Sequence, residues 1–350
     1  MKRENPFSLT FGKEPLSIIN RIEDFDDIVT TFCSNSRVSQ AYIITGVRGS
    51  GKTVLLNSVG NYFEKEKDWV VVTINPERDI LEQLVSKIYS NANVKHLFID
   101  KTLSISLYGI SFTAKGNNPI SDPETILEIM VKSLAKHDKK LLILIDEVTN
   151  SQQMRIFAHT FQTLIGKQYP VFLLMTGLYF NVYRLQNEET LTFLLRTPKI
   201  NLKPLDLISI KNNYLRIFDI SNEEATKMAK LTNGYPFAYQ VLGYLLFEKS
   251  EPKIDDDTIT KYETYLREYV YEKLWLELSN NEKNILKAFV SEKDQPFSEL
   301  LEKTGLKKET LSFYKDSLVK KGILDSVSWG KSSISLPRFF EFVQDIKSFE

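Results

Sequence analysis

Between about residue 40 and residue 200 short apolar runs alternate with longer amphipathic stretches. Four runs are continuous in apolar or β-branched residues: Ala41 to Thr45, Trp69 to Ile74, Leu141 to Ile145 and Val171 to Met175. Runs of this kind predict strands covered by helices on both faces, as in a parallel sheet. A weaker run, Lys199 to Leu202 before Pro204, predicts a fifth strand. The patterns between them predict helices over Lys52 to Lys65, Pro76 to Tyr89 and Asp122 to Lys136. One segment breaks the alternation: Leu103, Ile105 and Leu107 are spaced by polar neighbours, and Gly109 precedes Ile110 and Phe112. That pattern predicts a small hairpin or extended insertion, covering a sheet edge or meeting a partner.

From Leu205 the strand signals stop and helical patterns continue to about Leu278. Ser221 with Glu224, and Ser279 with Glu282, fit the S-x-x-E box, in which each side chain satisfies an otherwise orphaned amide, and predict helix starts near residues 222 and 280. The remainder reads as helices over Asn281 to Val290, Ser298 to Thr304 and Lys307 to Lys321. A strand pair follows, Gly322 to Trp329, turning at Gly330-Lys331 and returning through Ser332 to Leu336. This is the order of a winged helix. Its third helix buries Leu311, Tyr314 and Leu318 at helical spacing and leaves Lys308, Ser312 and Lys315 on another face, where a DNA major groove would meet them. Lys331 and Arg338 add positive charge, while Glu309 and Asp316 dilute it.

Composition narrows the function. With 45 basic and 45 acidic side chains in 350 residues, the chain does not coat nucleic acid through global charge, so any such contact is a local patch. Cys33 is the one cysteine, which excludes an intramolecular disulfide and suits a reducing compartment. His96, His137 and His159 lie too far apart in sequence to suggest a metal site with it. The opening residues have no signal-peptide core, and no apolar run is long enough to span a bilayer, so the expected location is cytoplasmic and no membrane is involved.

Gly46-Val47-Arg48-Gly49-Ser50-Gly51-Lys52-Thr53 matches G-x-x-x-x-G-K-T in full, directly after the first predicted strand and before the helix that opens Val54-Leu55-Leu56. Glycines let the loop turn its amides inward around phosphate oxygens, and the helix adds its positive end. Lys52 then reaches the terminal phosphates and the Thr53 hydroxyl takes one place on Mg²⁺. About ninety residues after this loop the buried strand Leu141 to Ile145 ends in Asp146 and Glu147. Alternation along the strand sends the two carboxylates in different directions: Asp146 toward the metal and Glu147 toward the attacking water, as general base. Thr176 closes the next strand, positioned for the γ-phosphate or that water.

At these residues the chain resembles AAA+ ATPases of the bacterial and archaeal group similar to origin-recognition initiators and STAND-type NTPases. The resemblance covers nearly the whole chain. It implies an αβα P-loop core with a parallel sheet over residues 1–203, a helical lid over 204–278 and a C-terminal winged helix over 279–350. It assigns Lys52 and Thr53 to Walker A, Asp146 and Glu147 to Walker B, and Thr176 to sensor 1. Arg196 fits the place of an arginine finger offered in trans, with Arg184 as a second candidate, which implies a homo-oligomer. The segment from Asn5 to Arg21 resembles the N-terminal stretch that packs beside adenine; Arg21 fits, although Asn20 stands where that group carries Gly. Gly234-Tyr235-Pro236 resembles the lid Gly-x-Pro element, with Pro236 against the nucleotide, and no lid arginine accompanies it.

The expected activity is Mg²⁺-dependent hydrolysis of ATP to ADP and phosphate, controlling self-association and DNA binding through the winged helix. Two alternatives stay open: a STAND-type signalling or defence switch that binds a protein, with slow or no hydrolysis, and a nucleotide-binding scaffold.

Overall fold

The computed structural model describes residues 4–10, 15–34, 39–99, 106–107, 110–111, 122–188, 191–328 and 330–349. It divides into two compact units. One comprises Arg21–Thr45 and Lys52–Asn201; the other comprises Met1–Asn20, Gly46–Gly51 and Leu202–Glu350.

The first unit runs α1 (Ile22–Cys33), β1 (Ala41–Thr45), α2 (Lys52–Glu64), β2 (Trp69–Ile74), α3 (Ile80–Ser90), α4 (His96–Ile99), β3 (Ser106–Leu107), β4 (Ile110–Ser111), α5 (Pro123–Lys136), β5 (Lys140–Ile145), α6 (Gln152–Gly166), β6 (Val171–Gly177), α7 (Tyr179–Gln186), α8 (Thr192–Arg196) and β7 (Lys199–Asn201). Its five-stranded sheet has the order β2-β5-β6-β1-β7. All of its pairings are parallel. Side-chain alternation explains the continuous apolar runs, because both sheet faces are covered. Ile43, Val72, Ile143 and Leu173 join the core with α3, α5 and α6. On the other face Phe32, Phe63, Trp69 and Phe172 form one aromatic cluster.

Two boundaries in this unit depart from expectation. Helix α3 starts at Ile80 rather than Pro76, because Asp79 caps it by accepting from the Glu82 N–H and Asn75 holds the preceding turn by accepting from the Glu77 N–H. Of the predicted insertion, Leu103, Ile105, Gly109 and Phe112 lie outside the described residues, whereas Leu107 pairs antiparallel with Ile110.

The second unit contains α9 (Leu207–Ile217), α10 (Asn222–Thr232), α11 (Pro236–Phe247) and α12 (Asp256–Leu266), the last running through a π-turn at Arg267–Tyr271 into α13 (Glu272–Leu276). Next come α14 (Asn280–Lys287), β8 (Gln295–Pro296), α15 (Phe297–Thr304), α16 (Lys308–Lys320), β9 (Leu324–Ser328), β10 (Lys331–Ile334) and α17 (Phe339–Ser348). Both S-x-x-E boxes form, at Ser221 and Ser279, and set the starts of α10 and α14. Strands β8, β10 and β9 make a three-stranded antiparallel sheet in that order. Strand β8 is too short and polar to announce itself in sequence, and Trp329, at the predicted tip, lies outside the described residues. The residues before the first unit are strapped here: Phe7 sits among Tyr214, Phe218 and Tyr239, and the Ser17 hydroxyl joins Asn213 and Tyr239. Among the described residues no helix is long and apolar enough to cross a membrane.

Candidate functional site

Strand order creates the site. In the first unit β1 lies between β6 and β7, and β5 lies beyond β6, so β1 is the switch point at which crossovers diverge to either side. Ligands of open parallel sheets bind outside the carboxyl ends of strands at such a point. Here α2 begins, presenting Lys52 and Thr53 in its first turn. The helix is fastened beneath by buried Leu55, Leu56, Val59 and Phe63, and the Lys52 side chain is itself buried. Val54 follows on the same turn, half-buried.

Strands β5 and β6 pair with Ile145 opposite Met175, which puts Asp146 level with Thr176 one residue on. The Thr53 hydroxyl donates to Asp146 Oδ2 at 2.8 Å. Thr176, fully buried, donates to Asp146 Oδ1. The Glu147 N–H donates to Thr176 Oγ1 at 3.0 Å and to Asp146 Oδ1 at 3.1 Å. Thr53, Asp146, Glu147 and Thr176 thus form one hydrogen-bonded set across α2, β5 and β6.

One reading of these residues changes. Strand alternation is not what separates the carboxylates, because β5 ends at Ile145 and Glu147 adopts a left-handed φ of 54°, and its side chain is exposed. The Thr176 hydroxyl, which the sequence positions for a phosphate or water, donates here to Asp146. A hydroxyl and a carboxylate oxygen 2.8 Å apart are hard donors of the kind Mg²⁺ takes in small number while keeping its waters. Among the described residues no group of three or more His, Cys, Asp or Glu gathers as an all-protein cage.

The loop residues Gly46 to Gly51 are held within the second unit. Val47 is buried in its core, and Ser50 is buried beside a turn closed from the Ser50 N–H to the Val47 carbonyl. Arg48 pairs with Glu277 at 3.2 Å, and its carbonyl accepts from the Tyr235 hydroxyl. Gly49, at φ 76°, lies so close to Tyr235 that a Cβ there would clash with the hydroxyl; around Gly51, at φ 90°, the equivalent space is open. Pro236 is the first residue of α11, pre-set for a helix start. Sequence reading singled out Pro236 and missed its neighbour Tyr235, as it missed Glu277. The available signal was a large residue with one polar tip between Gly and Pro, since such a side chain, once buried, needs a partner for that tip.

The remaining candidates stand outside the hydrogen-bonded set. Arg21 occupies the N-cap position of α1 without a side-chain cap and pairs with Asp24 at 3.9 Å; burial pulls its guanidinium below the ordinary arginine range against the pull of Asp24. Arg196 ends α8 exposed and, among the described residues, makes no ion pair. Arg184 lies over the Phe180 ring at 4.2 Å. On α16, Lys308 and Ser312 are exposed together with Phe313, which is 69% exposed. Much of the nearby positive charge is spent within the protein: Lys320 pairs with Asp316, Lys321 with Glu282, and Arg338 with Glu263 and Glu341. Arg338, to which the sequence assigned added positive charge near the strand pair, is thus paired within the protein.

A family described as a domain of unknown function (DUF8462) matches residues 268–343. No curated protein matches the chain. Among solved structures, a Walker-type ATPase of Pyrococcus abyssi is similar at 14% identity and a TM-score of 0.61, over 93% of this chain and 96% of that one. The ORC2 protein of Aeropyrum pernix, solved as its ADPNP–ADP complexes, is similar at 15% identity and a TM-score of 0.60, over 97% of this chain and 96% of that one. The ADP form of that protein gives 15% identity and a TM-score of 0.51 over the same shares. Sheet order, P-loop position and these neighbours agree: over nearly its whole length the chain has the fold of the AAA+ P-loop ATPases.

Proposed function

We propose that the chain binds ATP with Mg²⁺, hydrolyses it to ADP and phosphate, and uses nucleotide state to control self-association and DNA binding through residues 279–350. The observation that carries this reading is the Thr53–Asp146–Thr176 set at the end of a complete P-loop. In it Lys52 neutralises the terminal phosphates, Thr53 and Asp146 hold the metal, and exposed Glu147 accepts a proton from water. Magnesium, when bound, offsets phosphate charge. Arg196, or Arg184, is offered to the site of a neighbouring copy in a homo-oligomer. Residues 1–203, 204–278 and 279–350 then act as core, lid and winged helix. Titration of the Lys52→Ala variant should show no nucleotide binding, whereas Glu147→Gln should bind ATP and release no phosphate; unchanged ATP affinity in Lys52→Ala sinks the assignment.

A second reading is favoured by exposed Phe313 and the internally paired cations Lys320 and Arg338: a STAND-type switch whose winged helix meets a protein rather than DNA. Sizing the protein with an ATP analogue, with and without duplex DNA, separates the two. Nucleotide-driven assembly that ignores DNA supports the switch.

A further inference from the structure

Tyr235 occupies the N-cap of α11 yet makes no side-chain cap. Its ring is buried and its hydroxyl donates to the backbone carbonyl of Arg48, inside the P-loop sequence. Burial holds the phenol far above its ordinary range, against the pull of Arg48, so it remains a donor at any physiological pH. A trans peptide is planar, with C=O and N–H on opposite sides. Holding the Arg48 carbonyl at Tyr235 therefore turns the N–H of Gly49 away from it. Among the described residues nothing accepts from that N–H. The φ of 76° at Gly49 keeps the peptide in this orientation, and the Arg48–Glu277 pair anchors the same residue through its side chain.

We infer that Tyr235 is a positioning residue for phosphate binding: through the Arg48 carbonyl it orients one P-loop peptide so that the Gly49 N–H is presented to a phosphate oxygen. The inference rests on the ATP-binding reading and adds to it a residue that never touches nucleotide. Without the phenol the carbonyl loses its donor, the peptide rotates more freely, and ordering it falls to the ligand. One hydrogen bond of this kind corresponds to about a tenfold change in affinity.

The test is Tyr235→Phe, which keeps the ring and removes one oxygen. ATP and inorganic tripolyphosphate are each competed against a fluorescent ATP analogue, and exchange of the Gly49 amide is followed by NMR in the ADP-bound protein. Both ligands should weaken by about tenfold, and the Gly49 amide should lose protection. Unchanged ATP affinity overturns the inference. So does weakened ATP with unchanged tripolyphosphate, which would place the effect of Tyr235 away from the phosphates. A wild-type protein that binds neither ligand would instead refute the ATP reading itself. Should the variant unfold, amide exchange in wild-type protein still decides: a Gly49 N–H that ADP leaves unprotected contradicts the inference.

Discussion

Asp146 illustrates how little of a side chain's role lies in its own identity. Its two oxygens are occupied on opposite sides, one by Thr53 and the other by Thr176 and the Glu147 amide. That arrangement fixes the carboxylate plane. Thr176 is the pivot, since its one hydroxyl both donates and accepts, and it is fully buried. Thr176→Val retains the shape and deletes both bonds, leaving the Glu147 N–H with a weaker acceptor set. We expect a stability loss of about 1–3 kcal/mol by urea titration, and Mg²⁺-dependent turnover lowered at least about tenfold. Wild-type turnover in that variant would contradict the positioning role of Thr176.

Capping and cross-bracing work together where α14 meets α16. Glu282 closes the capping box with Ser279 and reaches across to Ser317 and Lys321, at 2.8 and 2.6 Å. Burial alone would push its carboxyl up; the Lys321, Ser279 and Ser317 hydrogen bonds outweigh that, so it lies below its ordinary value of 4.5. A carboxyl depressed in the folded state adds stability that is fully present above the unfolded pKa and disappears as pH falls through the folded one. Thermal midpoints should therefore drop below about pH 4.5, and Glu282→Gln, less stable at neutrality, should show a flatter acid limb; an equally steep limb would assign the acid sensitivity elsewhere. At this scale the S-x-x-E spacing was enough to locate two helix starts. It could not locate β8, whose two residues pair only because β10 arrives from 37 positions later, Gln295 against Ser332, a non-local pairing.

For the whole molecule the balance of 45 basic and 45 acidic side chains has a measurable consequence. With Arg338, Lys320 and Lys321 paired internally, the proposed DNA reading leaves Lys308, Lys331 and the half-buried Lys315, of the cations singled out in sequence, for phosphates. Three contacts correspond to a slope of log affinity against log salt of about −3. A filter-binding salt series on duplex DNA measures it, and a slope steeper than about −6 would require a different, more basic face. The candidate site was legible in part. The apolar runs announced the strands, and the glycine-lysine-threonine pattern announced the phosphate loop, because both signals depend on neighbours a few positions apart. The partner of Thr53 lies 93 positions away and the partner of Arg48 lies 187 away; neither spacing carries a pattern, so Tyr235 stayed invisible beside the proline that drew attention. Local chemistry, acting through side-chain volume, backbone preference and hydrogen-bonding groups, determined the elements and the residue types able to hold phosphate and metal. Only the strand order and the packing of α11 decided which hydroxyl faces which carboxylate and which way a loop peptide turns, because those contacts depend on loop closures and buried surfaces that exist once the chain has folded.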